Sequence, residues 1–134
     1  MNRVFLVAAV LVAVAAGVAL DRAVFAQQPQ AMKRTILIRT DDPAGPGYEA
    51  VMGLAEIPPG VSSGRHVHHG VEIGYVLEGV VSIEYAGKPA VTVKAGETFK
   101  NEGPHTAHNP GDKTTKILAV YLVEKGKPIA DPVK

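Results

Sequence analysis

Gly60-Val61-Ser62-Ser63-Gly64-Arg65-His66-Val67-His68-His69-Gly70-Val71-Glu72-Ile73-Gly74-Tyr75-Val76-Leu77-Glu78-Gly79 carries His66, His68 and His69 and, four residues beyond His68, the carboxylate of Glu72. On an extended strand, side chains at i and i+2 leave the same face roughly 6.6 Å apart, so His66 and His68 reach one ion from one side. Glu72 has the same parity. It lies across Gly70, where a bend or bulge returns the carboxylate toward the imidazoles. The remaining histidines, His105 and His108, form a second cluster. His105 follows the rigid pair Gly103-Pro104 and is the natural further ligand, whereas His108 has the opposite parity and points away if its segment is extended. An isolated histidine is usually a surface or hydrogen-bonded residue, and a lone His-x-His is weak evidence. Two clusters that hold all 5 histidines, with a carboxylate in register, instead suit one divalent transition metal ion (Fe, Mn, Ni, Cu or Zn) at His66, His68, Glu72 and His105.

Outward from this stretch, short β-branched runs are cut by Gly and Pro, and no helical stripe is evident after residue 30. Strands are expected at Thr35–Thr40, Tyr48–Ile57, Gly64–His68, Val71–Leu77, Val80–Tyr85, Ala90–Lys94, Thr98–Lys100, His105–Asn109 and Thr115–Glu124. The Pro- and Gly-rich segment 41–47 and Pro58-Pro59-Gly60 turn the chain, and Ala86-Gly87-Lys88-Pro89 closes a hairpin. Residues 125–134, with two prolines, form an extended C-terminal tail. Many short strands with regular turns make an all-β sandwich or barrel, and periodicity alone does not choose between them.

At 134 residues the chain suits one domain, and it contains no cysteine. That removes disulfides, thiolate-bound zinc, iron–sulfur clusters and blue copper, and leaves imidazole and carboxylate as the ligands. After Asn2-Arg3, the uncharged run Val4–Leu20 is followed by the small-residue site Val24-Phe25-Ala26. This order predicts a signal peptide, residues 1–26, and a periplasmic or secreted protein. The alternative is an uncleaved N-terminal membrane anchor, since about 17 apolar residues just suffice to span a bilayer. Cleavage after Ala26 removes Arg3, Asp21 and Arg22 and leaves a formally neutral domain. No basic block remains to follow a phosphate backbone, so no nucleic-acid partner is expected.

Gly60, His66, His68, Glu72 and Gly79 fit the pattern G-x5-H-x-H-x3–4-E-x6-G without a departure, and in this the chain resembles the cupins. The second cupin pattern, G-x5-P-x-G-x2-H-x3-N, begins at Gly96 and ends with His105 and Asn109 properly spaced. The segment between is two residues short and lacks Pro-x-Gly, which leaves His108 as the fallback ligand. The resemblance covers residues 33–124. It implies a single cupin-type jelly-roll β-barrel (double-stranded β-helix) with the ion inside, held by three histidines and a glutamate. It leaves the reaction open, since a fold of this kind hosts many chemistries.

Two functions remain. One is an exported mononuclear-metal oxidoreductase, dioxygenase-like, acting on a small organic molecule, with Glu72 as ligand and catalytic base. The other is a non-catalytic small-ligand binding or sensing domain using the same pocket; no separate acid–base residue stands out, which keeps it in view. Sugar isomerisation ranks third, for want of further charged pocket residues. Without tryptophan, and with Phe99 and four tyrosines as its aromatics, the mature domain is poorly equipped as a lectin. The row Val71, Ile73, Tyr75 and Leu77 lies opposite the metal face, and Val81, Ile83 and Tyr85 form a similar row. Both need cover, from a second layer or from a second subunit in a homodimer.

Overall fold

The computed structural model describes residues 30–41 and 45–134. The expected signal peptide and part of the 41–47 loop lie outside the described residues. No helix among the described residues is long and apolar enough to cross a membrane.

Ten strands follow in order: β1 Lys33–Asp41, β2 Tyr48–Ile57, β3 His66–Val67, β4 Gly70–Glu78, β5 Val80–Tyr85, β6 Val91–Lys94, β7 Thr98–Glu102, β8 His105–His108, β9 Thr115–Glu124 and β10 Asp131–Pro132. They form two antiparallel five-stranded sheets, β1-β2-β9-β4-β7 and β10-β3-β8-β5-β6. This is the all-β jelly-roll arrangement. Strict alternation places Val51, Ala55 and Ile57 of β2 and Ile117, Ala119, Tyr121 and Val123 of β9 on one inner face. Val81 and Ile83 of β5 and Val93 of β6 face them from the other sheet. Each such fully buried aliphatic side chain contributes about 1.5–3 kcal/mol.

The two apolar rows expected to share one cover have different fates. Val81 and Ile83 are buried inside the barrel, while Ile73, Tyr75 and Leu77 of β4 are exposed on its outside. The inward row of β4 is instead Glu72, Gly74 and Val76. Gly74 is required there because the Phe99 ring lies where a Cβ would be, with its Cζ 2.1 Å from that position.

Polar clasps join the sheets at their corners. The Thr115 hydroxyl donates to the Val80 carbonyl at 2.6 Å and accepts from the Val80 amide at 3.1 Å. Asn109, fully buried, donates to the carbonyls of Ile57 and Lys113 at 2.8 Å each and accepts from the Gly111 amide at 2.8 Å. The asparagine that ends the second sequence pattern is therefore a corner clasp, with its buried amide satisfied as burial demands.

The shortened second motif still delivers His105. Strand β7 runs to Glu102, the chain turns at Gly103 with φ of +77°, and β8 begins at His105 opposite His66 of β3. The tail also joins the sheet: β10 pairs with β3 in the register Asp131↔Val67 and Pro132↔His66.

Candidate metal centre

His66, His68 and His105 converge in the barrel interior, all buried, with ligating nitrogens within 4.8 Å of one another. Their ring centroids lie 4.9 Å (His66–His68), 4.4 Å (His66–His105) and 5.2 Å (His68–His105) apart. His108 is not in this cluster; it pairs with Ser82 and bridges Ser62 at the edge of β8. His69 also lies outside it, with Nε2 2.6 Å from Asp131 Oδ2.

Each clustered imidazole has a backbone carbonyl on its other nitrogen. Nδ1 of His66 donates to Gly64 at 2.9 Å, Nδ1 of His68 to Ile129 at 2.5 Å and Nδ1 of His105 to Gly103 at 3.0 Å. A carbonyl oxygen only accepts, so all three rings carry their proton on Nδ1 and keep a lone pair on Nε2. This is how metal-ligating histidines are commonly oriented.

Glu72 stands beside two of the three histidines. Its Oε2 lies 3.3 Å from Nε2 of His68 and 3.5 Å from Nε2 of His105. Lone pairs and a carboxylate oxygen at such distances repel unless a cation or proton lies between them. Nε2 of His68 is moreover a buried nitrogen without a hydrogen-bond partner among the described residues, and such orphans are costly. Both facts fit a cation bound by this donor set.

Burial alone would raise the Glu72 pKa; with a proton or cation shared with His105 and His68, and with the Asn101 amide donating to it, the carboxyl is held well below its usual range. Burial pushes the His66 pKa down, and the neighbouring His105 and His68 add to this against the Gly64 carbonyl, so its neutral ligating form is favoured. Burial and the Glu72 charge push the Tyr121 phenol up, which keeps it neutral.

Four supporting parts were not evident from residue types. Asn101 of β7 stands opposite Glu72 in the β4–β7 register, and its Nδ2 donates to Glu72 Oε2 at 2.7 Å. The Tyr85 hydroxyl donates to Asn101 Oδ1, which fixes which way the amide faces. Tyr121 stands opposite Glu72 on the other side, its ring 4.9 Å from that of His68. The tail supplies the carbonyl of Ile129. The usable signal for Asn101 was its parity: it shares the inward row of β7 with Phe99, where a polar side chain needs a partner. Of the tyrosines, Tyr121 lies at the centre and Tyr85 supports it, while Tyr48 and Tyr75 are exposed.

An interior void of about 20 Å³ adjoins His66, Glu72 and His105. It accepts an ion or a water, since one water needs roughly 10–15 Å³ on this measure, but no organic molecule. A larger cavity of about 340 Å³ shares Met32, Arg34, Ser63 and His66 with it as a common wall.

Known proteins agree with this architecture. The cupin domain family matches residues 53–121. A Klebsiella pneumoniae protein with a double-stranded β-helix domain superposes with a TM-score of 0.63 at 17% identity, covering 80% of this chain and 88% of that one. A cupin superfamily protein from Desulfitobacterium hafniense gives 0.58 at 15% identity over 73% of this chain and 82% of that one. An oxalate oxidase in complex with the substrate analogue glycolate gives 0.60 at 24% identity, over 80% of this chain but 57% of that one. No curated protein sequence matches. At these identities the structural neighbours speak for the fold alone, and the match over residues 53–121 gives the family: the chain is a cupin.

Proposed function

We propose that the protein is an exported mononuclear-metal oxidoreductase of dioxygenase type that acts on a small organic molecule. The observation that carries it is the set of three imidazoles, each protonated on Nδ1 by its carbonyl partner, around the Glu72 carboxylate. His66, His68, His105 and Glu72 would hold the ion. When bound, a redox-active ion supplies the electron exchange with dioxygen that none of these side chains supplies. The chain's own residues do the rest. The carbonyls of Gly64, Ile129 and Gly103 keep the rings in the ligating tautomer, Asn101 holds one oxygen of Glu72, and the carboxylate is ionised, to act as a base once substrate displaces it from the ion. The 340 Å³ cavity admits substrate as far as His66. Export rests on the order of residues 1–26.

A binding or sensing domain using the same pocket is the second reading. One observation favours it: Tyr121 and Tyr85, the tyrosines near Glu72, have their phenols pushed up and offer no second base. Protein isolated from the periplasm should contain about one transition ion per chain. Metal-loaded protein should consume oxygen with at least one member of a panel of phenols and small acids. Absence of oxygen uptake with Fe, Mn, Cu or Ni across that panel, with a small ligand still raising Tm, decides for the binding domain.

A further inference from the structure

The cavity outside the metal centre has a charge pattern that the proposed oxidation does not require. Its wall includes Arg34, Arg65, Ser63 and His66, together with Met32 and Ala130, and it contains no aspartate or glutamate. Several other cations of the fold have a carboxylate partner: Arg39 with Glu49, Lys33 with Glu56, Lys116 with Glu78, and His69 with Asp131. Among the described residues, neither Arg34 nor Arg65 has a carboxylate partner. Two guanidinium groups facing one concave space without a counter-ion raise its potential and favour an anion within it.

Arg34 is also held in place. Its Nε donates to the Tyr121 hydroxyl at 3.2 Å, and its guanidinium lies 5.4 Å from the centroid of the Tyr121 ring. Stacking on an aromatic face and donating through Nε orient the planar fork and leave its terminal nitrogens available, a geometry that matches two oxygens of one oxyanion. The rest of the wall suits an organic body: Met32, Ala130 and Pro132 are apolar. At about 340 Å³ the cavity lies at the small end of ligand pockets.

We infer that this cavity binds a small organic carboxylate, with the carboxylate group on Arg34 and Arg65 and the organic part lying toward His66. As a statement of substrate class it rests on the oxidoreductase reading above. As a statement of binding it does not, because it can be measured with or without metal.

The test is calorimetric titration of the full-length chain with lactate, pyruvate and benzoate, each beside its neutral amide, and with inorganic phosphate. The carboxylates should bind and the amides should bind at least tenfold more weakly, since the amide loses the charge-assisted pair (about one order of magnitude or more). Arg34→Gln and Arg65→Gln should each weaken carboxylate binding about tenfold, and the double variant should abolish it. Arg34→Lys should recover only part, because an ammonium lacks the fork. Amides binding as tightly as carboxylates, a double variant with unchanged affinity, or phosphate binding without carboxylate binding each overturn the inference. Should Arg34→Gln fail to fold, the carboxylate–amide comparison on wild type and the Arg65→Gln variant still decide. Carboxylate binding that depends on Arg34 without oxygen uptake sinks the oxidoreductase reading alone. Oxygen uptake with neutral substrates and no carboxylate binding sinks the inference alone.

Discussion

His68 donates its Nδ1 proton to the backbone carbonyl of Ile129, 61 residues away in sequence, at 2.5 Å. A segment with the composition of a loose tail thus sets the tautomer of a residue at the heart of the barrel. The same segment pairs as β10 with β3, and the Val133 amide donates to the Arg65 carbonyl at 3.1 Å.

Deleting residues 126–134 should therefore weaken metal binding by about 10–100-fold, the usual cost of losing an outer partner of a ligating histidine. Competition with a chromophoric chelator measures it. Ile129→Ala keeps the carbonyl and should bind metal within about threefold of wild type. Equal affinity of the truncated and full-length chains would show that the carbonyl does not matter.

The ligand set makes a ranked prediction. His66→Ala, His68→Ala and His105→Ala should each remove stoichiometric metal, since each deletes one donor from the proposed four-group shell. His108→Ala should leave metal content close to wild type, because His108 lies outside the cluster. Elemental analysis of the four purified variants gives the ranking, and loss of metal from His108→Ala would contradict it.

Much of this was legible beforehand, and the failures have a common cause. The bounds of β2, β5 and β9 coincide with the β-branched runs Tyr48–Ile57, Val80–Tyr85 and Thr115–Glu124, because alternation and flanking turns define a strand locally. Same-face spacing also put His66, His68 and Glu72 together. Period-two alternation says which residues share a face, but not which face is inside; that depends on which strands become neighbours. Hence Val81 and Ile83 could not be told from Ile73 and Tyr75. Asn101 gained its role only through its β4 partner, and Ile129 acts through a carbonyl, which every residue has.

Metal-free protein should lose stability on acidification, in two stages. His66 is held below its ordinary value of 6.5, so below pH 6.5 the unfolded chain takes up a proton that the native one resists. Stability from this residue is complete above that pH and falls as pH drops toward the lowered native value. Glu72 is held below its ordinary 4.5; its contribution is present above pH 4.5 and disappears as pH falls through the still lower native value. Chemical denaturation between pH 8 and 4 reads the His66 stage, and continuing to lower pH reads that of Glu72. His66→Gln should flatten the upper stage, and an unchanged slope there would show that the native ring is not shielded from protonation.

The outer face of the first sheet predicts self-association. Ile73 stands beside Val120 and Met52 in adjacent strands, and Tyr75 beside Leu118 and Leu54, which makes an apolar surface three strands wide. Ile73 and Tyr75 are 47% and 42% exposed in the single chain, and contiguous patches of this kind mark interaction sites. A homodimer through this face should sediment as such and become monomeric in Ile73→Glu. As a surface change, that substitution should alter the monomer's own stability by only about 0.5 kcal/mol. A wild type that sediments as a monomer at high concentration would remove the dimer.

Glu72 separates catalyst from binder. The atom at its Oε2 position accepts from Asn101 Nδ2 at 2.7 Å, so in Glu72→Gln the carbonyl oxygen of the new amide must take that place, since an amide nitrogen there would oppose a second donor. An oxygen therefore stays beside Nε2 of His68 and His105, and part of the metal should be retained. The negative charge and the capacity to accept a proton are both lost. If Glu72 is the base, oxygen uptake by metal-replete Glu72→Gln should fall about 100-fold or more, within the usual range for removing a general base. Tyr85→Phe offers the complementary reading: without its hydroxyl on Oδ1, Asn101 is free to turn, and turnover should fall less than in Glu72→Gln while metal content holds. Oxygen uptake by Glu72→Gln equal to that of wild type at equal metal loading would exclude the base role and leave Glu72 as a ligand only.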